Sequence, residues 1–195
     1  MNNTAIILGA GSHALLILRI LKEHSSLSNF SYVNNNPSKI MNDFNCKYIG
    51  TDKELSVNIK KRSVELFNGI GTRRDCLKRN EVFTHFKKLG FKFGKLVHPS
   101  AYVCKSVYVP EGSQILLRAM VNSGTIIGEN CIINTSAILE HDSLIGSGCH
   151  IGPSSVVCGS AKVSDDTLVG ANCVVLPGSN IKNHKVLKAG GVYGK

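Results

Sequence analysis

The chain lacks a long apolar run. Its longest stretch, Ala14 to Leu21, is interrupted by Arg19 and falls far short of the roughly 20 residues a membrane-crossing helix needs. Met1 to Thr4 carries no basic cluster of the kind that opens a secretory leader. The expectation is a soluble, cytoplasmic protein with no membrane partner. Also absent is any C-x-x-C pair, and the seven cysteines are an odd number, which argues against a complete disulfide framework. Basic residues are scattered, without interleaved aromatics or a known binding motif, so no nucleic-acid partner is expected.

Negative charge is scarce in the first half of the chain. Residues 1–94 hold 15 Lys or Arg against 7 Asp or Glu, a balance of +8, whereas residues 95–195 hold 8 against 6, a balance of +2. An anionic small molecule, phosphorylated or carboxylated, suits the basic half.

What the second half has is a period. Every sixth residue from Val97 to Leu187 is a branched aliphatic, sixteen in succession with none missing. Four residues after each comes a small side chain, as at Ala119, Thr125, Cys131, Ala137, Ser143 and Cys149, with Val107 and Lys185 as exceptions. Six residues do not fit a 3.6-residue helix and are too few for a helical hairpin, but they suit a short strand and a tight corner. Three such units close a triangular turn. The expected fold is therefore a left-handed parallel β-helix over residues 95–195, with aliphatics inward and residue i+18 stacked on residue i about 4.8 Å away. Five cysteines fall on this grid, Cys131, Cys149 and Cys173 at the small position and Cys104 and Cys158 just after the aliphatic, and read as small hydrophobes.

Residues 1–94 read differently, as a Rossmann-like α/β domain. Ala5 to Leu8 is an apolar strand, followed by Gly9-Ala10-Gly11-Ser12-His13-Ala14 and a helical stretch to about Glu23. Glycines in such a turn let backbone approach a phosphate, which the free N–H groups of the helix start then bind. A dinucleotide enzyme wants an acid after the second strand, but Phe30 to Val33 runs into Asn34-Asn35-Asn36-Pro37, which argues against NAD. Further on come a strand near Lys47 to Ile49, a helix capped by Thr51 with Glu54, a strand Val64 to Phe67, and a long helix after Gly71 to Leu89. The Gly9 turn, the Asn34 turn and the Gly69-Ile70-Gly71-Thr72-Arg73-Arg74 loop are expected at one sheet edge, where such sheets bind ligands.

These pieces resemble the NeuD/PglD family of bacterial sugar acetyltransferases over nearly the whole chain. The residues that carry the resemblance are Gly9-Ala10-Gly11-Ser12-His13, Ile70-Gly71 with Arg73, Leu96-Val97-His98-Pro99-Ser100-Ala101, and Ile133-Asn134-Thr135-Ser136 leading to Glu140-His141-Asp142. The resemblance implies a homotrimer, with acetyl-CoA along the β-helix between neighbouring subunits and a nucleotide-linked sugar presented by the first domain. His141 matches the general base, a task suited to an imidazole that titrates near neutrality. Asp142, or else Glu140, is the candidate to orient its ring, although adjacent side chains on a strand diverge. Gly159, 18 residues beyond His141, matches the backbone N–H that meets the thioester carbonyl, a position suited to an oxyanion. His150 matches a position near acetyl-CoA and Asn134 one near the acceptor.

Substrate contacts are expected from Gly9, Gly11, Ser12, His13, Asn34, Asn35, Gly71 and Arg73. The family's Pro-Ala-Lys tail has no counterpart up to Lys195, which leaves lysines such as Lys182 for the phosphates of CoA. The function implied is N-acetylation of the free amine of a nucleotide-linked amino-deoxy sugar in surface-polysaccharide synthesis, with O-acetylation of a sialic-type acid as the alternative. Readings from other classes are a catalytically idle trimeric scaffold and a zinc carbonic anhydrase. The last needs three convergent histidines; no H-x-x-x-x-H occurs, and no metal is expected.

Overall fold

A computed structural model describes residues 4–58, 63–72, 74–182 and 186–194. The chain divides into two compact units, one made of residues 1–71 and 81–94, the other of 72–80 and 95–195. No helix among the described residues is long and apolar enough to cross a membrane.

The first unit is built on a four-stranded parallel sheet. Its strands are β1 (Thr4–Leu8), β2 (Asn29–Val33), β3 (Lys47–Tyr48) and β4 (Val64–Asn68), in the order β3-β2-β1-β4. β1 is flanked on both sides and its last four residues are buried, so it reads as a continuous apolar run. Helix α1 (Ser12–His24) buries Ala14, Ile17, Leu18 and Leu21, the i, i+3, i+4, i+7 face of an amphipathic helix. α2 (Lys39–Asp43) starts at Ser38, whose side chain accepts from Met41 N–H. α3 (Asp52–Asn58) carries the expected capping box, with Thr51 N–H donating to Glu54 Oε2 at 2.7 Å and Glu54 N–H reaching back to Thr51 Oγ1.

The fourth helix departs from the sequence reading. α4 spans Leu77–Lys88 rather than starting directly after Gly71, and its first residue donates to Asp75 Oδ1 at 3.0 Å. An aspartate that accepts the N–H two residues on offers the backbone a turn in place of another helical residue. The chain before it belongs with the second unit instead. Further along, Val82, Phe83 and Phe86 of α4 pack with Leu66, Phe91 and Phe93 in the core of the first unit.

The second unit fits the left-handed parallel β-helix. Two-residue strands recur at the aliphatic position and stack in parallel on three faces. The first face comprises Leu96–Val97, Gln114–Ile115, Ile132–Ile133, His150–Ile151, Leu168–Val169 and Val186–Leu187. The second runs from Tyr102–Val103 through Ile138–Leu139 to Val192–Tyr193, and the third from Ile126–Ile127 to Asn180–Ile181. Strands pair with the strand 18 residues on, as in Ile132 with His150 and Ile138 with Val156. From Val109 to Leu187 every member of the aliphatic series is buried in one core, each contributing about 1.5–3 kcal/mol relative to exposure. Val97 remains 40% exposed because no coil precedes the one it opens.

The corners follow a finer rule than small size. From Val109 to Val175, and again at Leu187, the residue three after the aliphatic adopts positive φ, whether Gly124 and Gly148 or Asn130, Ser136 and Asp142. The residue after that is the small one, and where it is Ser, Thr or Cys it commonly donates to the carbonyl 15 residues on. Ser113 Oγ reaches Gly128 O at 3.0 Å, Cys131 Sγ reaches Gly146 O at 3.0 Å, and Ser155 Oγ reaches Gly170 O at 2.7 Å. Thiols here occupy the place of hydroxyls in a ladder along the prism, so these cysteines are buried donors as well as space fillers.

Candidate active site

The expected catalytic residues come together at the corner between the second and third faces. His141 is two residues past Leu139, where the chain leaves a strand, and Asp142 takes φ +58. That left-handed turn removes the divergence expected of neighbours on a strand and brings the two side chains together. His141 Nδ1 lies 3.0 Å from Asp142 Oδ2, with the side chains 63% and 66% exposed. A carboxylate can only accept, so Nδ1 carries the ring proton and Nε2 presents its lone pair. Glu140, the other candidate to orient the ring, instead accepts from Asn122 Nδ2 at 3.0 Å.

Two glycines make room for this pair. A Cβ on Gly159 would lie 2.7 Å from His141 Nε2, so the imidazole stacks over the bare backbone one coil on. A Cβ on Gly124 would lie 2.1 Å from Asp142 Oδ1, so the carboxylate is seated over the coil before. The ladder between coils takes Gly159 O, which accepts from Gly178 N–H at 3.0 Å. Corner N–H groups at the position of Gly159 stand outside that ladder, and side chains reach two of them, at Thr135 and Ser147. None reaches Gly159 N–H among the described residues. The edge of the His141 imidazole that carries Nε2 thus lies against the backbone of Gly159.

A second cluster lies across the second face, at the corner between it and the first. Asn134 Nδ2 is 2.9 Å from His150 Nε2, and Asn134 Oδ1 accepts from Thr135 N–H at 2.7 Å. The other ring nitrogen of His150, Nδ1, is hydrogen-bonded to Thr72 Oγ1. Thr72 begins a segment, residues 72–80, whose side chains read the third corner of the prism. Arg79 Nη2 and Nε donate to the carbonyls of Gly112 and Asn130, both at 3.4 Å. Asn80 Nδ2 donates to Gly148 O at 3.1 Å, and Asn130 Nδ2 to Asn80 Oδ1 at 2.7 Å. These carbonyls belong to corner residues stacked 18 apart. Arg79 is fully buried, and desolvation pulls its guanidinium down to about 9. The same burial pushes the Cys76 thiol up to about 12.

The first unit gathers its own set at the carboxyl ends of β1, β2 and β4. Gly9 takes φ +91 and donates to Val33 O at 2.8 Å; a Cβ there would touch Ile70. A Cβ on Gly71 would lie 3.2 Å from His13 Cβ. Gly11 is the N-cap of α1 with no side chain to cap it, leaving the helix start with Ser12 and His13 at this edge. Asn34 donates its N–H to Gly50 O and Asn35 is exposed beside it. Asn68, buried at the end of β4 and accepting from Ile70 N–H at 3.2 Å, shapes the loop and was not foreseen. Arg73 lies outside the described residues, and Lys182 is exposed after Ile181.

Thr72, Arg79, Asn80 and Gly124 were likewise missed by the sequence reading. Gly124 had a signal, being the residue 18 before Asp142, but Thr72 and Asn80 stand in a stretch with no period. Among the described residues no group of three or more His, Cys, Asp or Glu could hold a metal ion.

A three-faced coil of six-residue units defines a class, the hexapeptide-repeat proteins. Over residues 118–159 the chain matches the bacterial transferase hexapeptide family (six repeats). Among solved structures it is similar to the acetyltransferase domain of PglB from Neisseria gonorrhoeae, with a TM-score of 0.90 and 21% identity over 98% of this chain and 91% of that one. A second PglB structure is a complex with acetyl coenzyme A. The chain is also similar to PerB from Caulobacter crescentus in complex with CoA and GDP-perosamine, with a TM-score of 0.88 and 28% identity over 98% and 89% of the two chains. A histidine mutant of that protein, described as perosamine N-acetyltransferase, matches with a TM-score of 0.85 and 26% identity. Repeat and fold are those of the NeuD/PglD-like hexapeptide acetyltransferases, as the sequence motifs imply.

Proposed function

We propose that this acetyltransferase moves acetyl from acetyl-CoA to the free amine of a nucleotide-linked amino-deoxy sugar. The observation that carries the reading is the stack of His141 on Gly159, with Asp142 at the far side of the ring. The amine attacks the thioester carbonyl carbon while Nε2 of His141 takes its proton. Negative charge on the carbonyl oxygen is met by Gly159 N–H, a donor of a kind worth roughly 3 to 4 kcal/mol elsewhere. Asp142 keeps the ring in the Nδ1–H form and stabilises the imidazolium. The C–S bond then breaks, and the departing thiolate receives the proton from His141.

The Rossmann-like character of the first unit rests on its parallel strand order and on the Gly9 turn before α1. Gly9, Gly11, Ser12, His13, Asn34, Asn35, Gly71 and Arg73 are proposed to hold the anionic nucleotide sugar. Asn134 belongs near the acceptor and His150 near acetyl-CoA, whose phosphates Lys182 would attract.

A homotrimer completes the site. The outward row of the second face is Tyr102, Met120, Ile138, Val156, Val174 and Val192, apolar in all six coils and exposed or half-buried. The outward row of the third face includes Lys162 and Asn180. An apolar stripe of this kind calls for a partner surface. The second face is bounded on one side by His141 and on the other by Asn134. Two further copies packed on it around a three-fold axis would set the base of one against the Asn134 cluster of the next.

The test is incubation with acetyl-CoA and, separately, GDP- or UDP-linked amino-deoxy sugars and a sialic-type acid, following thiol release. Turnover with the amino sugar supports the reading. Turnover only with the hydroxyl acceptor moves it to O-acetylation, and no turnover with any acceptor sinks it.

A further inference from the structure

We propose that Thr72 is a positioning residue, its hydroxyl accepting the Nδ1 proton of His150 and so supporting that tautomer and holding the ring against the Asn134 amide. The hydrogen bonds run in one direction only. Thr135 N–H can only donate, so the Asn134 atom facing it at 2.7 Å is the carbonyl oxygen. The amide nitrogen therefore faces His150 at 2.9 Å, and since an amide NH2 can only donate, Nε2 of the ring must be the acceptor. A neutral imidazole with an unprotonated Nε2 carries its proton on Nδ1, which donates to Thr72 Oγ1. A second ring proton would point N–H at N–H.

Thr72 is held for this task. It opens the 72–80 segment, pinned to the stacked corners by the Arg79 and Asn80 side chains through Gly112, Asn130 and Gly148. Gly71, proposed above to touch the acceptor, immediately precedes it. His150 and His141 thus share a tautomer and differ in use. Nε2 of His141 stays open for a proton, whereas Nε2 of His150 is engaged by Asn134, which makes His150 a strut for the amide rather than a second base.

The proton assignment stands on its own; the kinetic consequence rests on the acetyl-transfer reading. Long-range 1H–15N spectra of the histidine rings in the full-length protein separate the two, with the His150 signals assigned by their loss in His150→Gln. The expected wild-type spectrum shows His150 as Nδ1–H. Thr72→Ser keeps that form, Thr72→Val moves it toward Nε2–H, and Asn134→Asp, which offers Nε2 only an acceptor, gives the Nε2–H form outright. In acetyl transfer, Thr72→Val lowers kcat about tenfold, the scale of one hydrogen bond, with KM for acetyl-CoA within about twofold, and Thr72→Ser restores most of kcat. A wild-type ring in the Nε2–H form overturns the proposal, as does a Thr72→Val protein with an unaltered His150 spectrum. Should Thr72→Val fail to fold, Thr72→Ala, which removes the same acceptor with less bulk, takes its place in both readouts. A wild-type protein that transfers no acetyl overturns the enzyme reading alone, because the spectra need no turnover.

Discussion

Two histidines nine residues apart, His141 at the corner between the second and third faces and His150 on the first face, differ in their surroundings. His141 stands at an open corner with one nitrogen on Asp142 and the other above a glycine, with no hydrogen-bond partner among the described residues. His150 lies half-buried with both nitrogens committed, one to Asn134 and one to Thr72. The residue type is the same and the coil is the same. What differs is whether a neighbour has already claimed the lone pair, and that decides which ring can take a proton from a substrate.

Removing each ring's neighbours breaks or sharpens this contrast. The largest effect expected is from His141→Ala, with kcat/KM down about a hundredfold or more and Tm nearly unchanged, since the lost side chain is mostly exposed. Steady-state thiol release and a thermal melt check both halves; full activity in the variant would assign the corner no catalytic part. Gly159→Ala comes next. Its methyl would need the space of the imidazole edge, so kcat is expected to fall by tens-fold to a hundredfold, within the cost of disturbing an oxyanion donor. A crystal structure of the variant should show the ring of His141 turned aside.

Asp142→Asn is milder. An exposed ion pair is worth at most about 1 kcal/mol, so the loss should be about fivefold and shrink further in high salt. A much larger loss would mean that another copy of the chain covers the pair. Ile138→Arg, on the apolar row, is expected to dissociate the proposed trimer in sedimentation while circular dichroism shows the coil intact.

The smallest effect concerns thiols. Cys46 and Cys76 are held up at about 12 by burial, whereas Cys104 is lowered by its bonds to Ser106. Cys104 should react first with a disulfide reagent, and the two buried thiols only after denaturation. The unfolded chain loses those two protons near pH 9 and the folded one near 12. Across that window the unfolded state binds fewer protons, so stability should decline as pH rises, as a denaturation series would record.

The second unit was far more legible in sequence than the first. Its period needs no tertiary knowledge, because a strand-and-corner repeat of six residues places each aliphatic inward by local geometry, and His141 over Gly159 follows from counting 18. The pairing of Asp142 with His141 was only half visible. The reasoning from strands made the two diverge, and the left-handed corner that joins them was encoded in a column of Gly, Asn, Asp and Ser that a search for small residues passed over. In the first unit the glycine turn and the Thr51 capping box could be read directly, whereas the start of α4 was misplaced by several residues.

Sequence alone thus determined the coil, its core and the stacking of His141 over Gly159, since the first two depend on aliphatics that must be buried and the third on spacing along the chain. Only the tertiary structure decided that residues 72–80 belong with the coil and that Thr72 and Asn134 close on the two sides of His150. Those contacts join residues 78 and 16 positions apart. Hydrogen bonds between a non-repeating segment and a repeating one leave no period to read.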